Sequence, residues 1–580
     1  MQVLDKYPIE KNPLYAYINE NAPLGFDIPD ESMFGMLKIS ADSHPDALAY
    51  EYFGTKCTYG EMLKKIRTVS DAYYALGVRK GDAVTILMPN TPEAVLSIYA
   101  LNRIGAICDI VHPLSAQEEI KKYINSVGSK FLLTADLCCA KVSAILDETS
   151  VEKVVVASPG DSMPFVMKKL YALKTRKSNA VPADDSRYIM WKSFVKNNSA
   201  RAKAYKPTGE QNEKPAIILH SGGTTGVPKN IMLSNRNFNA FGMQSIITLY
   251  DVSVGDKILA ILPIFHGFGL GVCVHVCFCF GACSVLIPSF DAKKFGSTLK
   301  KYKPTMLFGV PTLYEAMVNA DGVDDLDFSF LKYAVSGGDT LPKPLEDKVN
   351  AFLKAHNSDV RICEGYGMTE GLAALSLSVY EGYKSGTIGK PLIGNEMCVV
   401  TPGTTEVLPA GEQGELCVHG PTVMIGYKDN PEETANTLRV HADGKTWLHT
   451  GDMAVIDEGG FVEYKLRIKR LIISSGFNVH PTNIERVIEE LPEVSKCAVV
   501  AMPHPYKQEV PKAYIILEKG YEASTETLDK IKEYCKKHLS RHSIPYKYKF
   551  IKELPKTPFN KVDIMKLQKE AAEEVDLNKD

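Results

Sequence analysis

A segment rich in glycine and hydroxyl side chains, HSGGTTGVPKN at 220–230, has the composition of a loop that binds a polyphosphate. Glycines let backbone N–H groups approach anionic oxygens, hydroxyls donate hydrogen bonds, and a lysine adds positive charge. The segment is not a Walker loop, because no Gly-Lys-Ser/Thr follows the first glycine at the required spacing. The candidate phosphate-binding residues are Ser221, Gly222, Gly223, Thr224, Thr225, Gly226 and Lys229.

Further segments downstream carry residue types that suit nucleotide chemistry. In YGMTE at 366–370, Glu370 offers the carboxylate oxygens that Mg²⁺ prefers when it bridges ATP phosphates. In TGD at 450–452, Asp452 can accept hydrogen bonds from both hydroxyls of a ribose. SGGDT at 336–340 ends a predicted strand, and PKTPFNKVD at 555–563 contains Lys561. Each segment alone has an ordinary explanation as a tight turn or a solvated side chain.

Together and in this order, the segments resemble the acyl-adenylate-forming (AMP-binding) superfamily, which includes acyl-CoA synthetases, aryl-CoA ligases, luciferases and the adenylation domains of peptide synthetases. The resemblance spans nearly the whole chain. It departs from the family pattern at Asn230 and Asn560, where glycine is usual, and at Leu466, where glycine commonly precedes the arginine. The change at Asn230 is mild, because asparagine tolerates left-handed backbone geometry.

The resemblance implies how ATP is bound. Thr369 donates to the α-phosphate, and Glu370 and Thr225 hold Mg²⁺. The contacts that it implies are Gly338, Asp339, Tyr366 and Gly367 for adenine, and Asp452 with Arg467 for ribose.

The resemblance also implies two half-reactions served by one mobile small domain. Lys561 bridges the substrate carboxylate and the ATP phosphate during adenylation. The domain then turns about a hinge, here Arg470 instead of the usual aspartate or lysine, and brings the loop at Gly476 to the thiol of coenzyme A. ATP, Mg²⁺ and coenzyme A are therefore the expected cofactors and co-substrates.

His266, in LPIFHGFG, resembles the gate between the nucleotide site and the acyl pocket of this superfamily. A histidine in the core is the alternative explanation. No aspartate stands beside it to bind a substrate ammonium group, which disfavours an amino acid as substrate. The following stretch, GFGLGVCVHVCFCFGACSVLI, is almost wholly apolar and suits an aliphatic acid, although a buried core explains it nearly as well. We expect a medium- or long-chain fatty acid, mainly because a basic helix over 164–177 would help to recover such acids from a membrane surface.

Two alternatives stay open at this stage. The acyl acceptor can be the phosphopantetheine of a carrier protein instead of free coenzyme A. The second alternative is a different class of protein, a regulatory protein that binds nucleotide without turnover. It is compatible with the departures from the family pattern at Asn230, Leu466, Arg470 and Asn560.

The elements that must position these residues alternate between apolar runs and amphipathic helices, which predicts an α/β fold with doubly wound, parallel-type sheets. From about 395 to 465, short alternating segments with Gly and Pro turns predict a small β subdomain. We expect a large domain over 1–468 and a small, mobile α+β domain over 469–580.

Composition limits the partners and the location. The 67 Lys and Arg against 69 Asp and Glu give a formal charge of -2, so no global field favours nucleic acid. The N-terminal residues lack the features of a signal peptide, and we expect a cytoplasmic protein with reduced cysteines. A basic helix with apolar residues over 164–177 can contact a membrane surface, or it is an ordinary solvated helix.

Overall fold

The computed structural model describes residues 12, 14–15, 18, 24–175, 181–182, 184–197, 199–221, 229–379, 382–474, 477–504, 507–556 and 562–576. The α-helices are α1 Met33–Ser43, α2 Tyr59–Leu76, α3 Pro92–Ile104, α4 Gln117–Val127, α5 Cys139–Ile145, α6 Phe165–Thr175, α7 Trp191–Lys196, α8 Asn235–Thr248, α9 Cys277–Cys279, α10 Phe295–Tyr302, α11 Pro311–Val318, α12 Lys343–Ala355, α13 Pro431–Thr437, α14 Pro481–Glu489, α15 Thr525–His538 and α16 Ile564–Asp576. A π-helix, Phe268–Val276, runs directly into α9.

The strands are β1 Leu48–Tyr52, β2 Thr55–Thr58, β3 Ala83–Leu87, β4 Ile107–Ile110, β5 Phe131–Ala135, β6 Lys153–Ala157, β7 Tyr188–Met190, β8 Pro215–Ser221, β9 Lys229–Ser234, β10 Lys257–Ala260, β11 Cys283–Leu286, β12 Met306–Gly309, β13 Tyr333–Gly337, β14 Ile362–Tyr366, β15 Ser376–Leu377, β16 Lys390–Pro391, β17 Glu396–Val400, β18 Gln413–His419, β19 Gly426–Tyr427, β20 Leu438–Val440, β21 Thr446–Ile456, β22 Val462–Arg467, β23 Ile472–Ser474, β24 Phe477–Val479, β25 Val494–His504, β26 Gln508–Leu517 and β27 Lys547–Phe550.

The chain forms two compact units, residues 1–397 with 417–449 and residues 398–416 with 450–580. Unit 1 contains two largely parallel sheets, with strand orders β19-β9-β8-β4-β3-β5-β6-β7 and β16-β15-β14-β13-β12-β10-β11-β1-β2. Unit 2 contains a sheet with the order β24-β23-β26-β25, in which β27 also pairs with β26. The predicted class, α/β with doubly wound sheets and a small α+β part, is confirmed.

The described units divide the chain within the predicted β subdomain, since β18 and β21 each include residues of both units. The predicted functional boundary between 468 and 469 stays a prediction. Among the described residues, no helix is both long and apolar enough to span a bilayer.

Local sequence explains why α2 begins and ends where it does. Thr58 and Glu61 form a capping box, in which each side chain accepts a hydrogen bond from the backbone of the other. Gly77 ends the helix with a φ of 111°, which glycine adopts without a steric penalty. Ile66 and Val69 lie on its buried face, so helical spacing of apolar residues directs the helix onto the core.

Glu93, in the first turn of α3, is a buried carboxyl group that makes stability depend on pH. The Ser162 hydroxyl donates to it at 2.6 Å, yet burial raises its pKa to about 7. Because the folded-state pKa exceeds the ordinary value of 4.5, the protonated carboxyl group favours the folded state. Its contribution to the free energy of unfolding is fully present below about pH 4.5. That stabilisation is lost as the pH rises through about 7.

We expect Glu93→Gln to raise the melting temperature at pH 8 and to change it little at pH 4.5. The amide resembles the protonated acid, so the gain at pH 8 is at most about 3 kcal/mol. Glu210→Gln, at an exposed carboxylate, is the control and should change neither value. Equal effects of Glu93→Gln at both pH values would contradict the assignment.

Candidate functional site

Unit 1 contains an apolar cavity with about 690 Å³ of empty space out to its mouth. This volume lies in the range of small-molecule sites. Its walls come from α8, the π-helix and the carboxyl ends of β12, β13 and β14, the edge where ligands bind in open α/β sheets. The lining residues are Phe241, Ser245, Thr248, Leu249, His266, Phe268, Val272, Val276, Phe308, Val335, Gly337, Gly338, Gly365, Tyr366, Gly367, Met368, Leu372, Ala373, Ala374, Leu377 and Leu392.

The cavity brings together predicted site residues that are far apart in the chain. His266, Gly338, Tyr366 and Gly367 share its wall with the apolar side chains of the π-helix. The predicted acyl gate and the predicted adenine contacts therefore border one space. Asp339, by contrast, is exposed and does not line the cavity; its carboxylate accepts the N–H of Thr340 at 2.9 Å.

His266 is half-buried at the cavity wall, and its backbone surroundings orient the ring. The N–H of Phe268 donates to its Nδ1 at 3.2 Å. An Nδ1 that accepts a hydrogen bond leaves the proton of the neutral ring on Nε2. The neutral ring can therefore donate from Nε2 to an anionic oxygen.

At two glycines beside the cavity, the backbone packs so closely against another backbone segment that no side chain fits. A Cβ at Gly367 would lie 1.5 Å from the carbonyl oxygen of Ala373, and one at Gly267 would lie 1.7 Å from that of Leu372. Leu372 itself has φ 72° and ψ −61°, and the N–H of Ala373 donates to the carbonyl of Gly371 at 3.0 Å. This is the rare, strained γ-turn, a feature that concentrates at functional sites.

Glu370 is buried, and a tyrosine that the sequence did not single out holds its carboxylate. The hydroxyl of Tyr427 donates to Oε1 of Glu370 at 3.0 Å. Burial first, and then the charge of Glu370, raises the pKa of Tyr427, so the phenol stays protonated as the donor. Thr369 precedes Glu370 in a short 3₁₀ turn and is half-buried.

Lys229 lies close to this pair but already has an anionic partner. Its ammonium group lies 4.7 Å from the ring centroid of Tyr427 and forms an ion pair with Glu433 in α13. Lys229 also pairs in register with Ser221 across β8 and β9. The carboxylate of Glu433 therefore pairs with the ammonium group that is expected to bind the ATP phosphates.

We expect Glu433→Gln to lower the KM for ATP, because the phosphates no longer compete with a carboxylate for Lys229. The ion pair is partly exposed, so the expected change is roughly two- to fivefold, which corresponds to up to about 1 kcal/mol. Initial rates against ATP concentration measure it. Glu432→Gln, one residue earlier and exposed, is the matched control. A higher KM for Glu433→Gln would show that Glu433 assists nucleotide binding instead.

The structure explains the asparagine at position 230 differently from the expectation of left-handed backbone geometry. It lies within β9, opposite His220, so left-handed backbone geometry is not involved. Its side-chain oxygen lies 3.0 Å from Nδ1 of His220, and its Nδ2 donates to the hydroxyl of Ser126 at 2.8 Å. Nε2 of His220 in turn lies 2.6 Å from Asp109. Asparagine here anchors β9 to its neighbours through a buried polar network.

Glu364, in the middle of β14, is a second residue that the sequence did not single out. Its carboxylate accepts the N–H of Leu341 at 3.1 Å, just after the SGGDT segment. Burial raises its pKa to about 7. Gly338, with φ 78°, turns the backbone between β13 and this carboxyl group. Glu364 does not line the cavity; its raised pKa reflects burial beside the turn that follows β13.

Unit 2 contains the predicted ribose pair. Asp452 and Arg467 are directly opposite each other in the ladder of β21 and β22, and Nε of Arg467 lies 2.9 Å from Oδ1 of Asp452. Asp452 is buried and Arg467 is half-exposed. Leu466, at the family's glycine position, is buried.

Arg470, the predicted hinge residue, forms an ion pair and a hydrogen bond within unit 2. Its guanidinium lies 2.5 Å from the carboxylate of Glu485 in α14 and donates to the carbonyl of Val499 in β25 at 3.4 Å. The side chain is thus held by the elements that follow it in the chain.

The predicted residues Gly222, Gly223, Thr224, Thr225, Gly226, Gly476 and Lys561 lie outside the described residues.

Comparison with known proteins identifies the relatives of this chain. Residues 37–428 match the AMP-binding enzyme family, and residues 483–561 match the AMP-binding enzyme C-terminal domain. A long-chain-fatty-acid–CoA ligase of Bacillus subtilis (strain 168) is 31% identical over 566 residues, which cover 97% of this chain and 99% of the relative. One of Escherichia coli O157:H7 is 30% identical over 566 residues, covering 95% and 98%.

Solved structures agree with this relationship. ATP-bound MatB from Rhodopseudomonas palustris is similar with a TM-score of 0.79 and 25% identity, covering 93% of this chain and 98% of that one. A Mycobacterium tuberculosis fatty acyl CoA synthetase has a TM-score of 0.67 and 25% identity, covering 94% and 100%. The resemblance drawn from the motifs is confirmed, and the chain belongs to the AMP-binding enzyme family.

Proposed function

We propose that the protein is an ATP-dependent carboxylic acid–CoA ligase. It joins a carboxylate to the α-phosphate of ATP with release of pyrophosphate, and then transfers the acyl group from AMP to the thiol of coenzyme A. The observation that carries the proposal is the cavity, in which an apolar wall meets His266, Gly338 and Tyr366 in one space. An aliphatic acid and an adenine can lie there side by side.

Adenylation brings two anions, the carboxylate and the α-phosphate, within bonding distance, so positive charge and hydrogen-bond donors must offset their repulsion. Lys561 bridges the two reactants, and Lys229 holds the phosphates. His266, whose Nδ1 accepts the N–H of Phe268, donates from Nε2 to an anionic oxygen at the cavity wall. The buried carboxylate of Glu370 has the donor chemistry that suits Mg²⁺, which it would hold with Thr225, and bound Mg²⁺ neutralises charge on the triphosphate.

The second half-reaction needs a thiol at the acyl carbonyl and protection of the acyl-AMP from water. We assign the change between the half-reactions to a rotation of the small domain at Arg470. This motion withdraws Lys561 and presents Gly476 to the pantetheine. The ion pair of Arg470 with Glu485 supports this assignment, since it fastens the hinge side chain to the elements that follow it.

The acid is a medium- or long-chain fatty acid. The side chains of Val272, Val276 and Leu377 give the cavity an aliphatic wall, and each methylene that they shield from water contributes about 0.8 kcal/mol to binding. The bacterial relatives carry the name long-chain-fatty-acid–CoA ligase, which supports the same substrate class. The cytoplasmic location stays a prediction.

Pyrophosphate release over a panel of acids tests the proposal. With ATP and Mg²⁺, saturated acids of increasing length should give rates that rise and then plateau, and benzoate and amino acids should give little. Free coenzyme A and a phosphopantetheinylated carrier protein are then compared as acceptors, and we expect thioester with free coenzyme A. Nucleotide binding with no pyrophosphate from any acid would instead support a regulatory protein.

Helix α6 supports recovery of such acids from a bilayer, because its apolar side chains face solvent. Phe165, Leu170 and Leu173 are 70%, 62% and 71% exposed. Lys169 and Lys174 on the same helix are exposed cations. Exposed apolar and basic residues on one helix are typical of a segment that lies in the headgroup region of an anionic membrane. The last positions of the predicted segment, 176 and 177, lie outside the described residues.

We expect the double variant Leu170→Ser/Leu173→Ser to bind vesicles containing anionic lipid at least about tenfold more weakly than the wild type, since each leucine loses its transfer into an apolar phase. Co-sedimentation with vesicles measures it. Leu137→Ser, at an exposed leucine elsewhere, is the control. Unchanged vesicle binding by the double variant would contradict the proposal that α6 contacts the membrane.

A further inference from the structure

A cluster of one cysteine and two histidines lies in unit 1, outside the cavity and the nucleotide motifs. Cys417, His441 and His449 each offer one donor atom, and these atoms all lie within 4.8 Å of one another. Cys417 is 0% exposed, and both histidines are 6% exposed. We propose that these three residues form a Zn²⁺ site.

The distances within the cluster suit a tetrahedral ion. The two Nε2 atoms of His441 and His449 are 3.0 Å apart. A zinc ion about 2.0–2.1 Å from each nitrogen holds the two nitrogens roughly 3.3 Å apart, and its bond of about 2.3 Å to sulfur places Sγ at a similar separation from them. Small side-chain movements therefore convert the cluster into a set of ligands.

The fold holds the donors in place before any ion binds. Cys417 lies in β18, His449 lies in the neighbouring strand β21, and His441 directly follows β20, which pairs with β21. The N–H of His441 donates to the carbonyl of Lys445 at 3.0 Å, which fixes the turn between β20 and β21. The ring of Trp447 stacks on that of His441 with centroids 5.3 Å apart. Ligands on separate, paired strands keep their spacing, which lowers the cost of ordering a site.

The donor set selects the metal. Thiolate and imidazole are the ligands of zinc, whereas Mg²⁺ and Ca²⁺ prefer oxygen ligands. On binding, the ion replaces the thiol proton of Cys417, which passes to the buffer, while both imidazoles bind as neutral ligands. A water molecule completes the fourth position. Because the ligands are buried and come from neighbouring strands, the ion stabilises the local sheet instead of taking part in acyl transfer.

Metal uptake by the full-length protein tests the site. After treatment with a chelator and dialysis against micromolar Zn²⁺, we expect about one zinc ion per chain by atomic emission, release of one proton per ion, and a higher melting temperature. Cys417→Ser and His441→Gln should each lose at least about tenfold in zinc affinity. Cys398→Ser, at a half-buried cysteine of unit 2, is the matched control and should bind as the wild type does.

Cobalt gives a second readout, which begins with the wild-type protein itself. Co²⁺ bound at this site to the wild type should show thiolate-to-metal charge-transfer absorption in the near ultraviolet. Cys398→Ser should retain this absorption, and Cys417→Ser should lose it. Wild-type protein that takes up no zinc and shows no thiolate band with Co²⁺ overturns the proposal. Zinc uptake that Cys417→Ser and His441→Gln leave unchanged also overturns it.

Discussion

Replacement of Lys561 by alanine should lower the rate of acyl-AMP formation by at least about 10²-fold, because removing one preorganised charge from the reacting centre costs about 3–4 kcal/mol. ATP binding should remain close to that of the wild type, since Lys229 and the phosphate loop still hold the triphosphate. Transfer of the acyl group from preformed acyl-AMP to coenzyme A should also persist. ATP–pyrophosphate exchange measures the first step, and thioester formation from synthetic acyl-AMP measures the second.

Lys566→Ala is the matched control, because Lys566 is an exposed lysine a few residues further along the chain. It should leave both half-reactions unchanged. If Lys561→Ala slowed both half-reactions equally, the lysine would not be specific to adenylation. That result would also contradict the proposed change of domain position between the two steps.

Replacement of Glu370 by glutamine should lower kcat/KM for ATP by about 10²-fold or more and raise the Mg²⁺ concentration that gives half-maximal rate. A bound metal contributes several kcal/mol of charge stabilisation, and the amide oxygen is a weaker ligand than the carboxylate. Rates measured over a series of Mg²⁺ concentrations separate a loss of metal binding from a loss of catalysis, because saturating metal rescues only the former.

Tyr427→Phe is the informative comparison for this variant. It removes the hydroxyl that donates to Glu370 at 3.0 Å but keeps the carboxylate and the ring beneath Lys229. We expect a loss of roughly ten- to a hundredfold, in line with the net value of about 1.5–3 kcal/mol for a hydrogen bond to a charged group. Equal activity of Glu370→Gln and the wild type would remove Glu370 from the metal site and leave Tyr427 as a packing residue.

Much of the architecture follows from local pattern. The capping box at Thr58 and Glu61, the terminal Gly77 and the apolar spacing of α2 are all contained in about twenty adjacent residues, so the helix can be predicted without knowing what it packs on. The apolar runs that become β3, β10 and β12 are buried on both faces of parallel sheets, which is why they are continuous rather than alternating. The order of the motifs was likewise sufficient for the family.

Other features depend on contacts between residues far apart in the chain. Lys229 meets Glu433, and Glu370 meets Tyr427, because β9 pairs with β19 and α13 follows that strand. Neither segment has a local pattern that indicates its partner. The strained turn at Leu372 and the raised pKa of Glu364 arise from packing and burial, which composition does not report.

The amino-acid sequence alone was enough for the fold class, the family and the residue types available for ATP chemistry, since helix caps, apolar periodicity and motif order are properties of neighbouring residues. It was not enough for the shape of the cavity, the partner of Lys229, or the meeting of Cys417, His441 and His449. Those depend on strand register and long-range packing, where a shift of one residue turns every side chain to the opposite face.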